Sequence, residues 1–408
     1  MELEIPERYR ALQEEVREFI RRHGHESPAL GGGKKRPDRT TLAWQRLLVE
    51  HGFAARTVPK KYGGFGAAPD VWDSVVIAEE FGRAGRNPGV MNQGVSMFVP
   101  TLLEVGTEEQ RLQWIAPTIR GDLIWCQGFS EPGAGSDLAA VSTRALLDGD
   151  AWVVNGHKTW TSSAHYADMM FLLCRTEPEK PKHQGLSYLV LDMKTPGIRV
   201  QPVRTATGRH EFNEVFFDDV RLPAGNIVKG RGDGWEVANI TLRHERINIG
   251  DATRLGYRLE RLARLMKETS VDGVALLRYP EFLARLLKLQ GEVIAWKAHS
   301  RRLLTMYAAG EDPGVNRLIV KYGGVTLGHR LSSLAVDVLG AAGLTFETGG
   351  EDAQDGEVAN WYNDYVYDIG LFIGGGTINI QKNIIGERGL GLPREPRTAV
   401  AAPAIGRG

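Results

Sequence analysis

Two short runs bring together residue types that could hold a flat, phosphate-bearing ligand. Trp125 to Asp137 read WCQGFSEPGAGSD: an apolar start, a Ser-Glu-Pro turn, then Gly-Ala-Gly-Ser-Asp. Gly156 to Asp168 read GHKTWTSSAHYAD and set Trp160 beside Thr161, Ser162 and Ser163. Small residues let backbone come close to a ligand. Backbone N–H groups and hydroxyls bind polar ring edges and phosphates, and a large aromatic covers one face of a planar ring. Each run alone has a plainer reading, an ordinary loop for Gly-Ala-Gly-Ser and a core residue for Trp160. Together they describe a site for a planar cofactor.

A third candidate is a carboxylate. Trp235, Ala238, Leu242, Glu245, Ile249 and Ala252 recur at helical spacing on one stripe, while Glu236, Asn239 and Arg243 fall elsewhere on the same helix. An acid on an apolar stripe is rare unless it is paired or functional. Two readings stay open for Glu245: a general base, or a buried ion pair with a neighbour such as Arg243 or Arg246. Both can hold, since an adjacent Arg lowers the pKa of a carboxyl and an apolar pocket raises it.

The elements around these residues change in character along the chain. Up to residue 121 the pattern is helical. Tyr9, Leu12, Val16 and Phe19 keep a three-to-four spacing, Trp44 to Phe53 and Val71 to Phe81 read as two more helices, and Thr107 with Gln110 predicts a capping box. Between the first two helices, SPALGGGKKRPDRT reads as a mobile surface loop with Lys34, Lys35 and Arg36 solvated. From residue 122 to 232, WVVNGHKTW, MMFLLCR, GLSYLVLDM, IRVQPV and NEVFFDDVRLP are short β-branched and aromatic runs bounded by turn residues. From residue 233 to 408 helical periodicity returns, in segments over 235–268, 280–309, 314–339, 357–372 and 377–386. Helices, then strands, then a helical bundle predict an α+β protein of three units.

Composition excludes several classes. Of 408 residues, 50 are basic and 50 acidic, so nothing points to nucleic acid or a membrane surface. No apolar run approaches the roughly 18 residues of a membrane helix. The start, MELEIPERYR, is charged and lacks the apolar segment of a secretion signal, which predicts a bacterial-type cytoplasm. Cys126 and Cys174 make no disulfide framework and read as small buried residues.

SEPGAGSD followed by GHKTWTSS resembles the flavin-binding middle domain of the acyl-CoA dehydrogenase family. Further matches are PKKYGGFG at Pro59, FNEVFFDDVRLP at Phe212, GGGT at Gly374 and NIIGERGLGLPR at Asn383. The resemblance implies an N-terminal helical domain, a β-barrel-like middle domain and a C-terminal four-helix bundle. It also implies bound FAD and α,β-desaturation of an acyl-CoA thioester, in which a carboxylate takes the α proton and the flavin takes the β hydrogen as hydride. Electrons would pass to an electron-transferring flavoprotein, from a homo-oligomer (dimer or tetramer) or a heterotetramer with a related subunit.

Residue by residue, the resemblance assigns Ser130 to the flavin ring, with Gln127, Gly128 and Phe129 along the ring edge. Trp160 would cover the ring, Ser162 reach its reactive side and Thr377 lie near the flavin's linker. Ser136 would meet the acyl-CoA arm. In many relatives the base is a Glu before the Gly-Thr pair of the last motif, and that position here is Gly375. A second group of relatives carries the base on the first C-terminal-domain helix, immediately before an Arg, where this chain has Glu245-Arg246. That group includes enzymes for branched, long or steroid-derived acyl chains, steroid side-chain enzymes among them. In relatives, the backbone N–H at the position of Gly375 helps hold the thioester oxygen.

One further departure concerns the cofactor's pyrophosphate. Relatives hold it with an Arg from a neighbouring subunit, where this chain has Tyr279 or Leu283, with Arg278 and Arg285 nearby, and Asp337 stands where a Gln is common. The half-site offered to a neighbour therefore looks degraded. Two other activities fit parts of this pattern: a flavin oxidase or monooxygenase on the same fold, and a non-catalytic subunit that completes a partner's site.

Overall fold

The computed structural model describes residues 6–29, 36–248, 252–344 and 357–394, with the side chains of 245–248, 308, 344 and 357–360 outside that description. Five helices come first: α1 (Arg10–His23), α2 (Arg39–Glu50), α3 (Val71–Arg83), α4 (Val99–Val105) and α5 (Glu108–Ile119). The spaced apolar residues of α1 are its buried face, and Leu12, Val16 and Phe19 pack with Trp44, Trp72 and Phe81. Asp38 and Asp70 cap α2 and α3, and Thr107 with Gln110 forms the capping box of α5. Each supplies a side-chain acceptor to N–H groups that have no partner inside the helix.

Arg36 is exposed, as the solvated reading of its loop expects, and it also has partners. It bonds the Asp168 carboxylate at 2.9 Å and the Tyr166 carbonyl at 3.1 Å, so it ties the N-terminal helices to the sheet. Lys34 and Lys35 lie outside the described residues.

Seven strands follow: β1 (Trp125–Gly128), β2 (Arg144–Asp148), β3 (Ala151–Ser162), β4 (Met169–Arg175), β5 (Leu186–Asp192), β6 (Ile198–Val203) and β7 (Phe212–Pro223). They form one sheet, ordered β1-β4-β2-β3-β7-β6, with β5 on the other side of β4. Strand β4 shows why its sequence is apolar without alternation. Phe171 and Leu173 enter the core beneath the N-terminal helices, while Met170, Leu172 and Cys174 enter a second core on the opposite face. A strand covered on both sides needs no polar face.

The C-terminal helices are α6 (Gly234–Asn248), α7 (Ala252–Glu268), α8 (Pro280–Ala308), α9 (Ile319–Leu339), α10 (Ala341–Leu344), α11 (Glu357–Leu371) and α12 (Ile378–Ile384). A two-stranded hairpin, β8 (Ser270–Val271) and β9 (Val274–Ala275), lies between α7 and α8. Helices α6 and α7 are the described parts of the segment expected over 235–268, and Ile249 of the apolar stripe lies outside the described residues. Helices α7, α8, α9 and α11 share a core that includes Leu262, Val293, Leu331 and Trp361. A buried ion pair, Arg258 Nη2 to Asp368 Oδ2 at 2.6 Å, joins α7 to α11.

Cys126 and Cys174 are buried and unpaired, and burial pushes the Cys174 thiol up to about 12. Among the described residues, no helix is long and apolar enough to cross a membrane and no His, Cys, Asp and Glu cluster could hold a metal ion.

Candidate active site

The two motifs meet through a lysine that sequence reasoning left without a role. Lys158 on β3 is fully buried, and its Nζ bonds Glu131 Oε1 at 2.8 Å and the Phe129 carbonyl at 2.9 Å. The Glu131 carboxylate also accepts from Ser142 N at 2.7 Å, Ser142 Oγ at 2.8 Å and Thr143 N at 2.9 Å. Burial alone would raise this carboxyl, but Lys158 and these donors outweigh it and hold the group down at about 2. The turn that carries Ser130 is therefore bolted from both sides, and Thr159 N donates to Ser130 O at 2.9 Å. The visible signal was an acid in the first motif and a base in the second. Pairing them required the register of two strands.

Strand β3 then turns one residue out. Its register with β7 runs to Lys158 opposite Val215 and resumes at Thr161 opposite Asn213, so two residues, Thr159 and Trp160, face one. This is a bulge, which re-aims a side chain. Trp160 takes φ 58° and stands 61% exposed, between buried Thr159 and Thr161. A left-handed Trp costs roughly 1–3 kcal/mol and marks a site where geometry serves function. Phe212 meets it edge-on, with ring centroids 5.8 Å apart.

Asn213 holds the strand beyond the bulge by donating from Nδ2 to the Thr161 carbonyl at 2.9 Å. Thr161 Oγ1 is buried and has no hydrogen-bond partner among the described residues. Gly156 precedes the motif because a Cβ there, at φ 155°, would lie 2.4 Å from Thr143 Oγ1.

The other expected cofactor residues divide. Ser130 and Ser162 are half-buried beside Trp160, with hydroxyls able to meet a ligand. Gln127 and Gly128 lie on β1, and a Cβ on Gly128 would sit 2.5 Å from Met170 Sδ, so the strand is closely packed there. Phe129 lies just beyond β1, buried edge-on against Phe171 and Tyr188, which leaves only its backbone for a ring edge. Ser136 is exposed. Thr377 caps α12 by accepting from Ile380 N at 3.2 Å. An exposed aromatic on a bulge, two accessible hydroxyls and an orphaned threonine oxygen fit a planar cofactor with polar edges.

Helix α6 lies across the same region, against β5, α4 and the π-turn before α4. Val237 and Ala238 are fully buried in the core that also holds Tyr188. Buried Thr241 lies 3.0 Å from the Thr101 hydroxyl and 3.3 Å from the Tyr188 hydroxyl. Arg243 pairs with Glu104 at 2.5 Å, as does His244 at 2.7 Å. Arg243 thus has a carboxylate partner on α4. Glu245 and Arg246 fall on the last turns of α6, and their side chains lie outside the described residues.

Gly375 adopts φ 65° and Gly376 φ 87°, a left-handed pair that favours glycine. On the remaining departure, Arg285 of α8 is ion-paired with Asp337 of α9.

Comparison with known proteins places this arrangement. Three family models match in chain order: acyl-CoA dehydrogenase, N-terminal domain, over residues 6–122; middle domain, over 126–220; and C-terminal domain, over 232–390. The chain is similar to acyl-CoA dehydrogenase IpdE1 of Mycobacterium tuberculosis, 39% identical over 359 residues that cover 87% of this chain and 89% of the relative. Among solved structures it is similar to the Tcur3481-Tcur3483 steroid ACAD, with TM-score 0.79 and 27% identity over 97% of this chain and 100% of that one. It is also similar to the ChsE4-ChsE5 complex of Mycobacterium tuberculosis, with TM-score 0.78 and 28% identity over 97% of this chain and 100% of that one. With its helix–sheet–helix order matched throughout, this chain belongs to the acyl-CoA dehydrogenase family of flavoprotein oxidoreductases.

Proposed function

We propose that this chain desaturates an acyl-CoA thioester between its α and β carbons, on a branched or steroid-derived acyl group, using bound FAD. The observation that carries the proposal is the buried Lys158–Glu131 junction, which joins the Ser130 turn to the bulge that turns Trp160 outward. Ser130, Ser162 and Trp160 would hold the ring, with Gln127, Gly128 and the Phe129 backbone at its edge and Thr377 toward its linker. Bound FAD supplies the acceptor for the hydride leaving the β carbon.

The remaining work belongs to the protein. Glu245, at the end of a helix whose inner face is apolar, takes the α proton. General-base catalysis of this kind contributes roughly a hundred- to ten-thousand-fold. Arg246 follows it in the sequence and completes the Glu-Arg pair. The Gly375 N–H holds the thioester oxygen as negative charge develops there. Gly375 carries no side chain where many relatives carry a Glu, and Ser136 meets the CoA arm. The wide acyl group is supported by that missing side chain and by similarity to a steroid enzyme.

The units divide the work: residues 1–121 cover one face of the sheet, 122–232 hold the ring, and 233–408 supply base and assembly contacts. Electrons leave to an electron-transferring flavoprotein. The test is an anaerobic titration of the purified yellow protein with straight, branched and steroid-derived acyl-CoAs. Bleaching by a branched or steroid thioester supports the reading. No bleaching by any thioester, or oxygen uptake with a substrate that is not one, contradicts it.

A specific observation favours a heteromeric assembly. Asp337 neutralises Arg285, one of the two cations near the position that would reach a neighbour's pyrophosphate. The similarity to the ChsE4-ChsE5 complex supports the same reading. A related subunit would supply the missing Arg.

A further inference from the structure

The Gly374–Gly376 turn is held from below by a buried ammonium group. Lys321 on α9 is 3% exposed, and its Nζ donates to the carbonyls of both Gly374 and Gly376. The residues are 53 and 55 positions apart, so the contact joins α9 to the turn between α11 and α12. The turn is further closed by Gly374 N to Gly370 O at 2.9 Å and Ile378 N to Phe372 O at 2.9 Å. Among the described residues the Gly375 N–H has no hydrogen-bond partner.

Peptide geometry gives this contact a direction. The Gly374 carbonyl and the Gly375 N–H belong to one planar trans peptide, so they point opposite ways. An ammonium anchored on the Gly374 oxygen therefore fixes the Gly375 N–H facing away from Lys321, off the buried side of the turn. The second bond, to the Gly376 carbonyl, stops the next peptide from turning. With left-handed φ at both Gly375 and Gly376, this turn has few steric restraints of its own. A cation on the carbonyl end of a peptide also polarises it and strengthens the donor at the other end.

We infer that Lys321 is a positioning residue for the reaction: by holding the Gly374 and Gly376 carbonyls it presents the Gly375 N–H to the thioester oxygen. The inference rests on the reading of Gly375 as an oxyanion donor. Lys321 touches neither substrate nor flavin in this role and acts through the peptide plane.

The test uses the flavin-loaded full chain and [1-13C]but-2-enoyl-CoA as the probe. In the wild type, isotope-edited infrared difference spectra should show the bound thioester carbonyl shifted to lower frequency than in water. Lys321→Met should lose most of that shift. With the acyl-CoA that bleaches best, it should lower kcat on the order of a hundredfold with little change in KM. Lys321→Gln, which keeps a donor for one carbonyl only, should give an intermediate shift. It decides the matter if the Met variant does not hold flavin.

A full wild-type shift in the Met variant, or in the Gln variant when the Met variant is empty, would overturn the role of Lys321 and leave Gly375 standing. An unshifted carbonyl in the wild type would overturn both.

Discussion

At the scale of single residues, the chain concentrates its cost where two motifs join. Lys158 and Glu131 are both buried charges, and such a pair holds only if each remaining lone pair and proton finds a partner. Here the backbone and hydroxyl of Ser142, the N–H of Thr143 and the Phe129 carbonyl provide them. Removing one partner strands the other, at about 3–5 kcal/mol. The sign with pH follows from a carboxyl held at about 2 against an ordinary 4.5. Its stabilisation is complete above the unfolded value and disappears as pH falls from about 4.5 through 2. Glu131→Gln should therefore be less stable at neutral pH by that order and lose less stability than wild type across the acid window. Denaturant titrations at a series of pH values would check this, and parallel curves for the two proteins would contradict it.

Helix α6 carries the candidate base, and its placement depends on contacts made before its last turns. Thr241 sits on the helix face that meets the sheet and links by hydroxyl contacts to Thr101 on α4 and Tyr188 on β5. One side chain thus joins all three units. Thr241→Val keeps shape and removes the polar atom, leaving the Tyr188 hydroxyl buried without its partner, which costs about 1–3 kcal/mol. The variant should unfold at lower denaturant and bleach more slowly while retaining its flavin. Unchanged unfolding and bleaching together would deny α6 this anchor.

Much at this scale was legible from sequence. The apolar stripe of α1, the capping box of α5 and the β runs depend on neighbours within a few residues. The Ser130 and Trp160 motifs were legible for the same reason. What escaped was pairing across distance. Lys158 meets Glu131 27 residues away, Arg285 meets Asp337 52 away, and Lys321 reaches Gly374 53 away. In each case one strand register or helix packing angle decides which of many charges becomes the partner. The Trp160 bulge escaped because an extra residue shows only against its partner strand. Gly128 and Phe129 also have packing partners in Met170, Phe171 and Tyr188, which a ring-edge role for their backbone does not disturb.

For the molecule as a whole, balanced charge, with 50 basic and 50 acidic residues, leaves association to local surfaces. The Arg285–Asp337 pair is the local feature that bears on assembly. It joins α8 to α9 and leaves Arg285 neutralised on the surface. If a related subunit supplies the pyrophosphate contact, the chain expressed alone should carry less than one flavin per subunit, and Asp337→Gln should raise that occupancy by freeing Arg285. Flavin absorbance against protein mass in size-fractionated material measures both. Full occupancy in a homo-oligomer of the wild-type chain would remove the need for a different subunit.

In the proposed reaction one carboxylate, Glu245, removes the substrate's α proton. The direct measurement is anaerobic reduction of the Glu245→Gln variant by the acyl-CoA that bleaches the wild type. The amide cannot accept the proton but closely matches the carboxylate in shape. The variant should be a yellow protein with wild-type flavin content whose colour persists, its reduction slowed at least about a hundredfold. Bleaching at the wild-type rate would assign the base to another residue and contradict the mechanism.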